Sequence, residues 1–253
     1  MDSTGTRATA SEDDPRRRLL LRALASGALV GGCGWSAHTA AALFGKVPGK
    51  LPEGRSIFEM QGDVRVNGRA ARADTVITAS DRISTGAGAS IVAVIGQDAL
   101  ILREHSDLQL GAVASAGARA AKRFFRLVTG AMLTVFGPRD EMLEINTPTV
   151  TIGIRGTGVY TESAAERSYV CTCYGQTRIS AADDPRIAED IRSRHHDAPR
   201  YVLRDAEQGR RIIAAPFKNH TDLELRMLEA LVGREVPFAL EREDRYSGPQ
   251  RDY

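Results

Sequence analysis

From residue 57 onward the chain runs in short apolar or alternating stretches broken by Gly, Asp, Asn and Pro, the pattern of strands joined by tight turns. Asp63-Val64-Arg65-Val66 alternates polar and apolar and ends on Asn67-Gly68, a pair that tolerates positive φ and so suits a two-residue hairpin turn. Similar runs predict strands at 90–95, 99–103, 108–110, 124–128, 132–136, 143–145, 149–154, 159–163, 169–174 and 176–180. Turns recurring every roughly 8–12 residues suit a sandwich, barrel or β-solenoid. No fixed-length repeat is present, which argues against a regular solenoid. The expected fold is mainly β, an irregular β-sandwich or β-helical domain over residues 57–180.

The pattern changes after Ser180. The polar stretch 185–194 predicts a short helix, and 200–203 and 211–214 read as two strands separated by Gly209 and followed by Pro216. Thr221 with Glu224 three residues on forms a capping-box signature. Leu223, Met227, Leu228 and Leu231 follow at helical spacing, and Gly233 supplies a stop. Residues 181–240 are thus a C-terminal extension with a short α-helical appendage at 221–232. The charged, aperiodic stretch 241–253 reads as a disordered tail or a partner-binding strand.

The N-terminus reads as an address. Residues 1–15 are polar; Arg16-Arg17-Arg18 then precedes Leu19-Leu20-Leu21 and Arg22, and 23–44 is uncharged and rich in Gly and Ala. Paired arginines, leucines and a weakly hydrophobic run resemble a twin-arginine (Tat) export signal. Residues 1–44 are therefore expected to be an export signal or membrane anchor, with inner-membrane association through 19–44. Three end points stay open: cleavage near 36–42, lipid attachment at Cys33 after Val30-Gly31-Gly32, or retention as an anchor. Each places the remainder outside the cytoplasm, in the periplasm or attached to the envelope.

Charge adds an exclusion. With 34 basic and 32 acidic residues the net charge is +2, so no bulk field recommends nucleic acid as a partner. Nor does the chain contain a P-loop, a Gly-x-Ser-x-Gly elbow, a His-Glu-x-x-His helix or a dinucleotide fingerprint. The acids Asp183, Asp184, Glu189 and Asp190 read as a solvated loop or helix start. No catalytic residue is expected, and no enzyme activity.

One constellation bears chemistry: Cys171-Thr172-Cys173 with His195, His196 and His220. On a strand, residues i and i+2 share a face, so the two sulfurs are neighbours. Thiolates with imidazoles form ligand sets for zinc or copper. In an oxidising compartment Cys171 and Cys173 can instead form a disulfide or a reactive dithiol, and a third reading is simply packed thiols. The spacing is neither Cys-x-x-Cys nor Cys-x-x-Cys-His, so it matches neither a zinc ribbon nor c-type haem attachment. The cofactor expectation is none, or a metal at this cluster.

The strand region carries an ordered series of short motifs: Gly62-Asp63-Val64, then 81–86 (Asp-Arg-Ile-Ser-Thr-Gly) with Gly88, Leu127-Val128-Thr129-Gly130, Thr147-Pro148 and Arg155-Gly156-Thr157. Together these resemble the FecR domain family. Their physical reading is architectural: Pro148 belongs at a strand edge, Gly156 at a sharp turn or close approach, and Arg155 is expected to tie loop carbonyls or a carboxylate inside the domain. Asp81, Thr85 and Gly86 read as turn chemistry. The resemblance implies a non-enzymatic binding, interaction or signalling-associated module of the cell envelope, with an envelope protein or polymer as partner and an oligomeric state left open. Family members pass signals to a cytoplasmic sigma factor through an N-terminal helical domain. Here only residues 1–15 precede the apolar segment, so that route is not expected.

Overall fold

The computed structural model describes residues 48–113, 122–139, 143–206 and 210–238. The targeting segment 1–44 with Cys33, and the tail 241–253, lie outside the described residues.

The fold is mainly β, with one short helix among the described residues. The asparagine–glycine hairpin forms as expected: β2 (Val64–Val66) turns through Asn67 (φ 51°) and Gly68 (φ 77°) into β3 (Arg69–Ala70). β1 (Ile57–Gln61), β4 (Arg82–Thr85), β5 (Ser90–Ile95), β6 (Asp98–Leu102) and β7 (Asp107–Val113) are similarly short. The turn residues act locally. Asp81 accepts from the Asn67 amide (2.7 Å) and the Thr78 N–H (2.6 Å), while Thr85 Oγ1 accepts from the Ser106 N–H (2.9 Å) and donates to the Arg103 carbonyl.

Pairs of predicted runs fuse into long strands. β8 is Lys122–Val135, β10 is Val150–Ser163 and β11 is Arg167–Ala181; β9 (Leu143–Asn146) precedes β10. The glycines between the runs are bends within strands. At Gly130 (φ 93°) β8 leaves β7 and β9 and continues against β6 and β10. β10 shifts register between Arg155 and Gly158, pairing β9 before and β8 after. Positive φ is available to glycine without a Cβ penalty, so these positions let one strand serve two sets of neighbours. The result is one branching 14-stranded sheet around a continuous core that includes Ile83, Leu108, Phe125, Leu127, Ile152 and Val170.

The C-terminal extension adds β12 (Ala188–Ser193), β13 (Arg200–Leu203) and β14 (Ile212–Ala214) to the same sheet. The expected helix at 185–194 is not there: Ala188–Ser193 forms a strand paired with β11, and Asp190 faces Arg178 across that ladder at 2.8 Å. Sheet pairing overrides a weak local preference. The second helix, α1 (Asp222–Leu231), forms with Thr221 as N-cap and a complete Thr221–Glu224 capping box. It packs over β6 and β8. Leu225, Met227, Leu228 and Leu231 are buried, whereas Leu223, expected on the apolar face, is exposed. Among the described residues no helix is long and apolar enough to cross a membrane.

Candidate functional site

Two features stand apart from the framework: a sealed sulfur–imidazole cluster under the C-terminal segment, and an open depression on the outward face of the sheet.

The cluster begins on β11. Cys171 and Cys173 share a face, as the period of two requires, and both are free thiols with 0% exposure. Cys171 pairs across the ladder with Tyr160 on β10. His196 comes from the loop after β12. Asp197 accepts there from the Arg194 N–H (2.7 Å), His196 takes positive φ (56°), and the His196 N–H donates to the Cys173 carbonyl (2.9 Å). That turn sets the His196 ring beside Cys171, with Nδ1 3.5 Å from Sγ. His220 arrives from the residues leading into α1 and stacks on Tyr160, centroids 4.5 Å apart. Phe217 packs against both imidazoles, at 4.4 Å from His196 and 4.6 Å from His220.

One ligand atom each from Cys171, Cys173, His196 and His220 lies within 4.8 Å of the other three. His195 stays outside this group. Its Nε2 meets both Asp222 oxygens at 2.9 Å and, with His196 and Asp222, forms a second, more exposed set. Four of the five expected residues therefore converge. Asp222, Tyr160 and Phe217 were not among the expected site residues; the signal for Asp222 was its place two residues after His220, at the start of a predicted helix.

The electrostatics describe two thiols that do not ionise together. Hydrogen bonding with Cys173 lowers the Cys171 pKa to about 4 against the burial that opposes it, and His196 and His220 assist. Burial and the neighbouring Cys171 push the Cys173 thiol well up. Burial also opposes charge on His196, but Asp222 and Cys171 outweigh it and raise its pKa to about 9. A thiolate beside an imidazolium is a nucleophile only if a substrate reaches it. Here both sulfurs are fully buried and the His196 side chain is 7% exposed, so the arrangement is suited to holding something rather than to turnover.

Several of the motif residues serve the backbone. Thr147 Oγ1 accepts from the Thr149 and Val150 N–H groups at 3.2 and 3.0 Å, fixing the turn through Pro148 into β10. Gly156 has φ 56°, and the buried Thr157 hydroxyl donates to the Tyr174 carbonyl. Arg155 departs from expectation: its side chain is exposed rather than tied into the domain.

The depression spans β7 to β10 and encloses about 830 Å³. Its floor is the outward row of β8, Lys122, Phe124, Arg126 and Val128, alternating with the inward Phe125 and Leu127. Phe124 lies over Gly111, its cross-strand partner; a Cβ there would stand 2.2 Å from the ring. Val113 and Val128 are 57% and 43% exposed, and Glu144 on β9 pairs with Lys122.

No protein-family model matches the chain, and no curated protein does. Two crystal structures of a "putative anti-sigma factor" from Parabacteroides distasonis are similar to it at 9% identity and a TM-score of 0.42, over 53% of this chain and 58% of theirs. The chain thus spans less than two thirds of those proteins, and a likeness at that level assigns no function. The resemblance to the FecR family rests on the motif series alone.

Proposed function

We propose that this chain is a non-catalytic, exported, FecR-like interaction module of the cell envelope, holding a protein partner against the outward face of β7–β10. The observation that supports this is the open concavity whose floor alternates cations with apolar side chains: Lys122, Phe124, Arg126 and Val128. Exposed apolar area grouped this way marks contact surfaces. An extended segment carrying apolar and acidic side chains fits the row, because its alternate residues meet Phe124 and Val128 on one hand and Arg126 on the other. The sealed cluster supports the non-catalytic part of the reading. Its convergence also favours a second, compatible role, in which the module carries a metal.

The test is a photo-reactive amino acid placed in living cells at Val113 or Arg126, with Arg186, 88% exposed and not among the residues that line the depression, as control. One discrete cross-linked protein at 113 and 126, absent at 186 and lost when Phe124→Ala is added, is expected. Cross-linking equal at all three positions, or none at 113 and 126, overturns the reading. Replacing Arg16, Arg17 and Arg18 by lysine should hold the chain in the cytoplasm; export undiminished in that variant would remove the twin-arginine route.

A further inference from the structure

The geometry points to a structural zinc(II) site formed by Cys171 Sγ, Cys173 Sγ, His196 Nδ1 and His220 Nε2, a closed tetrahedral centre that fastens the C-terminal segment to the sheet. It deepens the second reading and stands independently of the partner surface.

The first argument is the orientation of the imidazoles. His196 Nε2 lies 3.0 Å from Asp222 Oδ1, and His220 Nδ1 lies 2.7 Å from the Lys218 carbonyl. Each acceptor takes the N–H on its side of the ring, which leaves the opposite nitrogen of each neutral imidazole with a lone pair. Those two nitrogens, His196 Nδ1 and His220 Nε2, face each other at 3.1 Å. In the imidazolium form of His196 a single proton fills that gap, donated from Nδ1 to His220 Nε2, and a cation that displaces this proton takes both inner nitrogens as ligands. Histidines that bind metals characteristically give their outer N–H to a carboxylate or a backbone carbonyl, and here one has each.

The second argument is distance. Around zinc, with bonds of about 2.05 Å to nitrogen and about 2.3 Å to sulfur, the tetrahedral edges are about 3.3 Å for N···N and about 3.6 Å for N···S. The corresponding separations are 3.1 Å and 3.5 Å. Two of the six edges therefore match a zinc coordination shell, and all four donor atoms lie within 4.8 Å of one another, a group that contracts onto the ion.

The third argument concerns the kind of site. Two thiolates and two imidazoles are a zinc donor set and fill four positions. With both cysteines at 0% exposure and His220 at 3%, no position is left for water or substrate, which separates a structural centre from a catalytic one. Strand spacing makes a disulfide the poorer use of the pair. Residues i and i+2 of a strand lie about 6.8 Å apart at Cα, the outer limit for a disulfide bridge.

The ligands come from three places in the chain: β11, the loop after β12 and the residue before the N-cap of α1. None of these contains a second ligand pair, so the site has no sequence signature of its own.

The test uses the full chain purified without chelator or reductant, with metal content and intact mass measured together. About one zinc per chain, with thiols free, is expected. Substituting cobalt(II) should give the intense visible bands of a tetrahedral ion with thiolate charge transfer, a readout of the ligand set that needs no mutation. Cys173→Ser and His220→Ala should each lower zinc content at least tenfold, whereas His195→Ala should retain it. The assignment is overturned if reduced protein offered zinc takes up less than a tenth of an equivalent, if cobalt shows no thiolate band, or if copper replaces zinc. Equal loss in His195→Ala would overturn it too, by moving the ion to the exposed His195–Asp222 set.

Discussion

Arg103, just beyond the end of β6, donates to Glu224 in the first turn of α1 at 3.0 Å, with the two side chains 10% and 2% exposed. The same guanidinium donates to the Asn219 carbonyl at 2.9 Å, so one side chain holds both the helix and the segment that carries His220. Glu224 in turn accepts from the Thr221 N–H at 2.9 Å as part of the capping box. Removing one member of a buried ion pair strands the other charge, which costs about 3–5 kcal/mol. Arg103→Met should therefore destabilise the protein by about 3 kcal/mol in urea unfolding. Adding Glu224→Gln, which keeps an acceptor for the cap and removes the stranded charge, should recover part of that loss. A double variant less stable than Arg103→Met would show that the carboxylate is not the stranded group.

Two glycines predict opposite outcomes for the same substitution. At Gly130, with φ 93°, an added Cβ would lie 2.5 Å from the Ser106 Cα, so backbone would have to move; Gly130→Ala should cost about 3 kcal/mol or more. At Gly111 the three atoms nearest the added Cβ all belong to the Phe124 ring, which can swing aside, and Gly111→Ala should cost within about 0.5 kcal/mol. It should nevertheless abolish the cross-link at Arg126, because the ring no longer lies on the floor of the depression. Thermal melts of both variants, with the cross-linking assay for Gly111→Ala, check the pair.

What the sequence showed and what it concealed divide by range. Asn67-Gly68 and the Thr221–Glu224 box act within a few residues, and both form as their local chemistry predicts. Gly130, Gly156 and Gly175 look like strand ends in one dimension, but each is a positive-φ bend inside a long strand, because a glycine that ends pairing and one that redirects it are locally the same. Ala188–Ser193 became a strand through its ladder with β11, a partner that local preference does not contain. The face-sharing of Cys171 and Cys173 was legible from the period of two. The sequence also offered His195, His196 and His220 as partners for the pair, but which of them reach the sulfurs was not legible, since that depends on three separate elements and on Arg103, a residue with no motif around it.

Asp81 gives a pH dependence with a definite sign. Burial alone would raise its pKa, but hydrogen bonds from Thr78 and Asn67 outweigh that and hold it below the ordinary 3.8. A carboxylate lowered on folding contributes stability that is present above its unfolded value and lost as pH falls through the folded one. Asp81→Ala should thus cost about 2 kcal/mol at pH 7, the scale of hydrogen bonds to a charged acceptor. Below pH 4 the difference from the parent protein should shrink, as the parent carboxyl is itself protonated. A difference independent of pH between 7 and 3 would mean that Asp81 acts through packing alone.

Removal of the ion at Cys171, Cys173, His196 and His220 should loosen one region and leave the rest. An ion bound only by the folded state adds stability as its concentration exceeds its dissociation constant, about 2.7 kcal/mol at a hundredfold excess. Its ligands tie β11 to the loop after β12 and to the segment leading into α1, so chelation should speed amide exchange in 194–199 and 217–221 first. β5 and β6, buried in the continuous core and joined to none of the ligands, should keep their protection. The Arg103–Glu224 pair predicts the order of events, because it holds α1 by a contact separate from the metal. Chelation alone should loosen the His220 segment while the helix remains docked, and chelation of Arg103→Met should release both. Hydrogen exchange read by mass spectrometry on the four combinations separates the two anchors. Exchange that rises uniformly across β5, β6 and α1 on chelation would mean that the ion supports the whole fold rather than fastening its C-terminal segment.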